Sequence, residues 1–261
     1  MANLMDSDSL KAQAMVLAAG RGERMRPLTD HTPKPLLKVK DTCLIEWTLQ
    51  GLQKHGYTKV LINTAWLGQS IRRQLGATYA ASTSHVHAPM QLVYSSEELD
   101  FGAALETAGG IVRALPLLSD PFWVVAADVY CPSFDFDPVH LSALQDSPFL
   151  GQIWLVKNPP HHPQGDFCKD ANGLAALPRS LEALEAFEPT ETLTFSTIGI
   201  YKHSFFQTFA SELAVGNPLG IKAPLGPVLK RGIQAQSLLA SYFREAWTDV
   251  GTPERLAMLN S

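Results

Sequence analysis

The chain has 261 residues, of which 46% are hydrophobic and 18% charged. A charged share below the roughly 25% of average globular chains excludes a disordered polymer, and the length allows a large core without disulfide or metal staples. Lys plus Arg is 21 and Asp plus Glu is 25, a net charge of −4, so no global positive field is available for nucleic acid and an anionic ligand needs a local cluster of donors.

Residues 1–13 carry Asp6 and Asp8 and no continuous apolar block, and they read as a flexible N-terminal extension rather than a secretory signal. No stretch approaches the roughly 18 apolar residues of a spanning helix, so no membrane association is expected. Cys43, Cys131 and Cys168 stand alone, without a CxxC; they read as reduced thiols of a cytoplasmic protein, not as a disulfide framework or a zinc site.

The first predicted strand is the apolar run 14–18, which stops at a glycine turn. Ile45, Thr48, Leu49 and Leu52 share one face and predict a helix over 44–55, with Gly56 as its stop. A strand over 59–62, a helix over 67–75 and a strand over 91–94 follow. Residues 106–115 then read as a helix, with Ala108, Val112 and Leu115 in phase, and 122–127 as a strand. These apolar runs do not alternate, as in strands covered on both faces. Strand and helix keep exchanging through residue 128, which predicts an α/β, Rossmann-like, doubly wound, mostly parallel mixed sheet flanked by helices. In the second half 152–156 and 193–201 read as strands, and 158–166, with three prolines, as loop. Thr252-Pro253-Glu254 opens a short helix with threonine as N-cap. Residues 79–89 read as a surface insertion, and no internal repeat is present. The five tryptophans lack helical register and read as core rather than as a stacking platform.

Residues 17–35 run from the end of a buried strand, the edge where open α/β sheets bind ligands. Gly20 and Gly22 permit close backbone approach to an anion. Arg21, Arg24, Arg26 and Lys34 place four cations within 14 residues of an otherwise acidic chain. The spacing is neither GxGxxG nor a Walker A, so the loop reads either as an anion site or as a basic strand-to-helix turn. Asp128, directly after a buried strand, is a metal carboxylate or a loop cap. Asp249 is a metal carboxylate or a turn former. Two carboxylates plus phosphate oxygens suit octahedral Mg²⁺.

The string LAAGRGERMRPLTDHTPKPLL at 17–37 resembles the signature of the sugar-1-phosphate nucleotidylyltransferases. The resemblance continues through Leu44-Ile45-Glu46, 62–68, 105–110 and 249–256. It implies that Ala19, Gly20, Arg21, Gly22 and Glu23 hold a nucleoside triphosphate, with Arg24 and Lys34 as catalytic phosphate contacts. It implies Mg²⁺ as cofactor on Asp128 and Asp249, the base and ribose near Tyr94, Glu106 and Gly109, and the sugar near Gly165, Asp166 and Ser196. Segment 158–167 resembles the uridylyl-transferring members of peptidoglycan recycling more than thymidylyl or guanylyl ones. UTP and a sugar 1-phosphate are then the partners, and the expected state is a monomer or small homo-oligomer. The same reaction with TTP, GTP or CTP is the alternative, and a sensor without turnover is a third reading. His161 and His162 read as loop histidines without a ligand role. Two departures stand out: Ala126-Ala127 replaces the family's Asn-Gly or Asn-Ser, and Thr197 stands where relatives carry glycine. Because these residues run from 20 to 249, one domain over 14–261 is expected, with a nucleotide-binding half at 14–128 and a sugar-binding half at 129–261.

Overall fold

A computed structural model describes residues 11–81, 88–178 and 191–261. The strands are β1 (Ala12–Ala18), β2 (Lys38–Val39), β3 (Thr42–Cys43), β4 (Lys59–Thr64), β5 (Thr78–Tyr79), β6 (Met90–Ser96) and β7 (Leu118–Ala126). Beyond Asp128 come β8 (Val129–Tyr130), β9 (Gly151–Val156), β10 (Phe167–Lys169), β11 (Ala175–Ala176), β12 (Thr192–Tyr201), β13 (Leu238–Tyr242) and β14 (Thr248–Asp249). The helices are α1 (Leu44–Lys54), α2 (Gly68–Leu75), α3 (Glu97–Phe101), α4 (Glu106–Ala114), α5 (Val139–Gln145), α6 (His203–Phe209), α7 (Leu225–Gln234) and α8 (Pro253–Asn260).

The main sheet runs β11-β10-β12-β7-β1-β4-β6-β5, with β9 and β13 added beside β12. The pairs β1–β4, β1–β7, β4–β6 and β9–β13 are parallel. The long strand β12 pairs antiparallel to β7 and β9, so the sheet is mixed where the second half joins it. The strands are covered on both faces, as the unalternating apolar runs required. Met15, Phe122 and Val124 pack with α4, α6 and α7 on one face. Val16, Trp123 and Val125 pack with α1, α2 and α5 on the other. A third cluster joins Met25 of the glycine loop to Leu44, Tyr130 and Val250, with Leu256 and Leu259 of α8 against it.

The first-half elements lie where the periodicity placed them. β1 starts at Ala12, so Ala12 and Gln13 are strand, not extension; residues 1–10 lie outside the described residues. Thr252 caps α8, accepting from Arg255 N. The 79–89 segment differs from its reading: Tyr79 is buried and pairs with Met90. The buried amide of Gln53 donates to Ala88 O at 2.9 Å and accepts from Ala81 N at 3.0 Å, holding both flanks of residues 82–87, which lie outside the described residues. All three cysteines are free thiols. Among the described residues no helix is long and apolar enough to cross a membrane.

Candidate active site

A cleft of about 730 Å³ opens at the C-terminal ends of β1, β4 and β7 and reaches across to β10, β12 and α7. Of the expected site residues, Ala19, Gly20, Arg21, Lys34, Glu106, Asp128 and Asp166 line it. Gly20 has open space at its Cα, room for a ligand against the backbone. The Arg21 guanidinium carbon lies over the Trp66 indole, 3.5 Å from the ring centroid, and both side chains donate to Thr29 O. Trp66 is therefore a stacking shelf, contrary to its reading as core. Thr29 is fully buried, and its hydroxyl donates to Gly22 O at 2.8 Å.

Lys34 enters on a single 3-10 turn, and its ammonium lies 2.5 Å from Asp128 Oδ2. Asp128 follows β7 and is partly exposed to the cleft. Val250 N donates to Asp128 O at 3.0 Å, and Asp249 pairs with Val129 across the β8–β14 ladder. Two residues 121 apart in sequence thus meet at adjacent backbone positions. Asp249 Oδ2 accepts from Arg255 Nη1 at 3.0 Å and stands 3.6 Å from His161 Nε2, which also touches Arg255 Nη1. Burial, then the Arg255 guanidinium, holds the His161 imidazole below its usual range, with exposed Arg24 adding to the effect. His162 Nε2 lies 3.1 Å from Asp166 Oδ1. Both histidines lie in loop, as expected, and each faces a candidate-site aspartate.

Behind the cleft runs a buried hydrogen-bond chain that motif reading missed. Asn63 Oδ1 accepts from Ala18 N at 2.9 Å, and its amide donates to Glu97 Oε1 at 2.7 Å. Glu97 Oε2 accepts from Leu105 N at 2.8 Å. Glu97 is fully buried, and burial pushes its carboxyl above the usual range. The chain ties the glycine loop to the start of α4, where Glu106 sits at φ +62° and lines the cleft.

Other expected contacts lie elsewhere. Gly22 at φ +68° packs on Thr29 and Lys34 and shapes the loop, and the Glu23 carboxylate pairs with Arg21 at 3.7 Å on the exposed side. Neither lines the cleft, nor does exposed Arg24, which stands at the His161–Asp249 end. Tyr94 donates to Gly76 O at 2.6 Å and borders a separate small depression with Arg72, away from the cleft. At Gly109 a Cβ would lie 2.6 Å from Ile221 O, so this glycine admits the 221–223 segment rather than a base. Gly165, at φ +63°, presses on Asn158 and Leu193, and serves the turn. Asp166 lines the cleft, but its Oδ2 accepts from Phe195 N at 2.9 Å. Ser196 is fully buried, and its hydroxyl donates to Trp154 O at 2.7 Å. The register of β12 breaks between Phe195 and Gly199, so Thr197, at φ +62°, faces the cleft in place of Ser196.

Asp128, in the turn between β7 and β8, and Asp249, on β14, supply hard oxygen donors at adjacent backbone positions, which suits a divalent cation that takes its remaining ligands from phosphate and water. Among the described residues no group of three His, Cys, Asp or Glu side chains is arranged to hold a metal unaided.

Comparison with known proteins agrees with this architecture. A Bacillus anthracis protein described as a glucose-1-phosphate thymidylyltransferase, in complex with a sucrose, superposes with a TM-score of 0.72 at 17% identity, covering 95% of this chain and 93% of that one. HddC from Yersinia pseudotuberculosis, complexed with GMP-PN, gives 0.66 at 16% identity over 95% and 97%. In sequence, the N-acetylmuramate alpha-1-phosphate uridylyltransferase of Neisseria meningitidis is 41% identical over 254 residues, 94% of this chain and 95% of the relative. The Caulobacter vibrioides enzyme of the same name is 39% identical over 116 residues, 44% of this chain and 45% of its own. The catalytic subunit beta of Drosophila melanogaster mannose-1-phosphate guanylyltransferase is 25% identical over 93% of this chain and 60% of its own. The nucleotidyl transferase family model matches residues 13–163, and the chain belongs to that family.

Proposed function

We propose that this protein transfers UMP from UTP to N-acetylmuramate α-1-phosphate and releases pyrophosphate, in the recycling of peptidoglycan, with Mg²⁺ as cofactor. The observation that carries the reading is the near end-to-end likeness to the Neisseria meningitidis uridylyltransferase. The cleft supports it, because Arg21, Lys34 and Asp128 line one end of a strand-edge pocket that continues over β12 and α7, and Asp249 is held next to Asp128 by the β8–β14 pairing.

A sugar-phosphate oxygen is ionised at neutral pH, so its in-line attack on the α-phosphorus needs no strong base. The barrier is charge repulsion and alignment. The open backbone at Gly20 receives the triphosphate, and Arg21, held over Trp66, offers a pre-oriented guanidinium. Lys34, which lines the cleft, stabilises the charge that grows on the leaving pyrophosphate. Asp128 and Asp249 would hold the Mg²⁺, whose contribution would be to neutralise phosphate charge. Asp166, steadied by Phe195 N and His162, lies at the sugar end, and Thr197 stands beside it on β12.

The test is pyrophosphate release with Mg²⁺, each of UTP, CTP, GTP, ATP and TTP, and a panel of sugar 1-phosphates. UTP with N-acetylmuramate 1-phosphate is expected to give the highest kcat/KM. Preference for another pair reassigns the substrate, and nucleotide binding without pyrophosphate from any pair sinks the enzymatic reading. Lys34→Ala is expected to lower kcat by about 10²–10³ in the same assay; unimpaired turnover would remove Lys34 from its role.

A further inference from the structure

Each carboxylate assigned to the metal is already paired with a cation of the chain. Lys34 Nζ sits on Asp128 Oδ2 at 2.5 Å, and Arg255 Nη1 on Asp249 Oδ2 at 3.0 Å. The two cations differ in freedom. Lys34 carries its ammonium on a flexible stem from a short turn. The two side chains are equally covered, 10% exposed at Lys34 and 9% at Arg255, and the difference lies in packing: Arg255 Nη2 fills the space that a Cβ on Gly251 would take. Its Nε is buried and without a hydrogen-bond partner among the described residues.

A guanidinium buried with one nitrogen unpaired is a poor anchor for a helix, since an apolar side chain would fix α8 without the desolvation penalty. Its one carboxylate partner among the described ion pairs is Asp249. Two carboxylates against Lys34 and Arg255 leave the site close to neutral before any ligand enters. A divalent cation arriving alone meets like charge at both ends. Arriving with a triphosphate, it brings negative charge and gives the Lys34 ammonium phosphate oxygens to move to.

We propose that Lys34 and Arg255 act as counter-charges that keep the divalent-ion affinity of the nucleotide-free protein low, so that the metal is taken up together with the triphosphate. Lys34 is the exchangeable counter-charge. Arg255 is the fixed one, a positioning residue that stays on Asp249 Oδ2 and leaves Oδ1 to the metal. The inference rests on the reading of Asp128 and Asp249 as metal carboxylates.

The experiment is Mn²⁺ binding to the full chain, read by electron paramagnetic resonance, with and without a non-hydrolysable UTP analogue. Arg255→Met is expected to raise the affinity of the nucleotide-free protein for Mn²⁺ by roughly tenfold or more while turnover falls. Arg255→Lys is expected to keep the weak wild-type affinity. Lys34→Met, in a short turn away from α8, should show the same gain and keeps the test open if Arg255→Met does not fold. Unchanged or weaker Mn²⁺ binding in both neutral variants overturns the counter-charge proposal. Asp128→Asn and Asp249→Asn separate the two levels. If they abolish Mn²⁺ binding in the presence of the analogue and the neutral variants show no gain, only the counter-charge proposal fails. If they leave that binding intact, the metal assignment itself fails.

Discussion

Glu97 is the residue on which both nucleotide-side loops depend, and it lies in no motif. Its two oxygens accept from Asn63 and from Leu105 N in a fully buried setting. Glu97→Gln turns one acceptor into a donor and sets it against an N–H, so unfolding in urea at pH 7 should show a loss of about 1–3 kcal/mol. The pH dependence has a definite sign. Burial raises the folded-state value above the ordinary 4.5, so the unfolded chain ionises first as pH rises. The stability contributed by protonated Glu97 is full below 4.5 and is lost as pH climbs through the raised folded value. The wild type should therefore gain on Glu97→Gln as pH falls from 7 toward 4.5, and a constant difference between the two would refute the shift. At this scale the sequence was legible in position: Gly20 and Asp128 follow the ends of β1 and β7, and with Lys34 they line the cleft. It misled where side-chain direction decides. Ser196 and Thr197 exchange faces at the register break in β12, and Gly109 and Gly165 are small for the backbone beside them rather than for a ligand.

The loops that join elements hold the nucleotide end together, and two substitutions probe them separately. Trp66 stands on the connection from β4 to α2 and supports Arg21 from below. Cation–π contacts of this kind contribute about 0.5–2 kcal/mol. Trp66→Leu should thus raise KM for UTP by about 3–10-fold with little change in kcat, as measured in the pyrophosphate assay. Gly109 is different, because the neighbour of its missing Cβ is the backbone oxygen of Ile221. Gly109→Ala forces α4 away from the 221–223 segment and should cost about 1–3 kcal/mol in thermal or urea unfolding. The alternation of strand and helix through Asp128 was readable because each element there has one regular period and a glycine or polar stop. Beyond it, the short strands β10, β11 and β14 have two or three residues, too few for a period to show. Trp66 escaped recognition because stacking on Arg21 is a contact across 45 residues, invisible to any local pattern.

Across the whole molecule the two expected halves share one sheet. β12 from the second half pairs directly with β7 of the first, and α4 and α7 meet in the same apolar cluster. Unfolding is therefore expected to be a single transition, with tryptophan fluorescence and far-UV circular dichroism giving coincident urea midpoints; separated midpoints would mean two independent units. The pairing of β8 with β14, which sets Asp249 beside Val129, brings in the last strand and α8, so the proposed metal site would draw on nearly the full span of the chain. A different kind of consequence follows from Gln53. One side chain of α1 grips Ala81 and Ala88, so the ends of the intervening stretch are fixed whatever lies between them. Lengthening the chain between two fixed points costs only about 0.6 kcal/mol per doubling. Ala81 and Ala88 thus mark a natural splice point, where an affinity handle or a fluorescent reporter can be grafted at the strand end opposite the cleft.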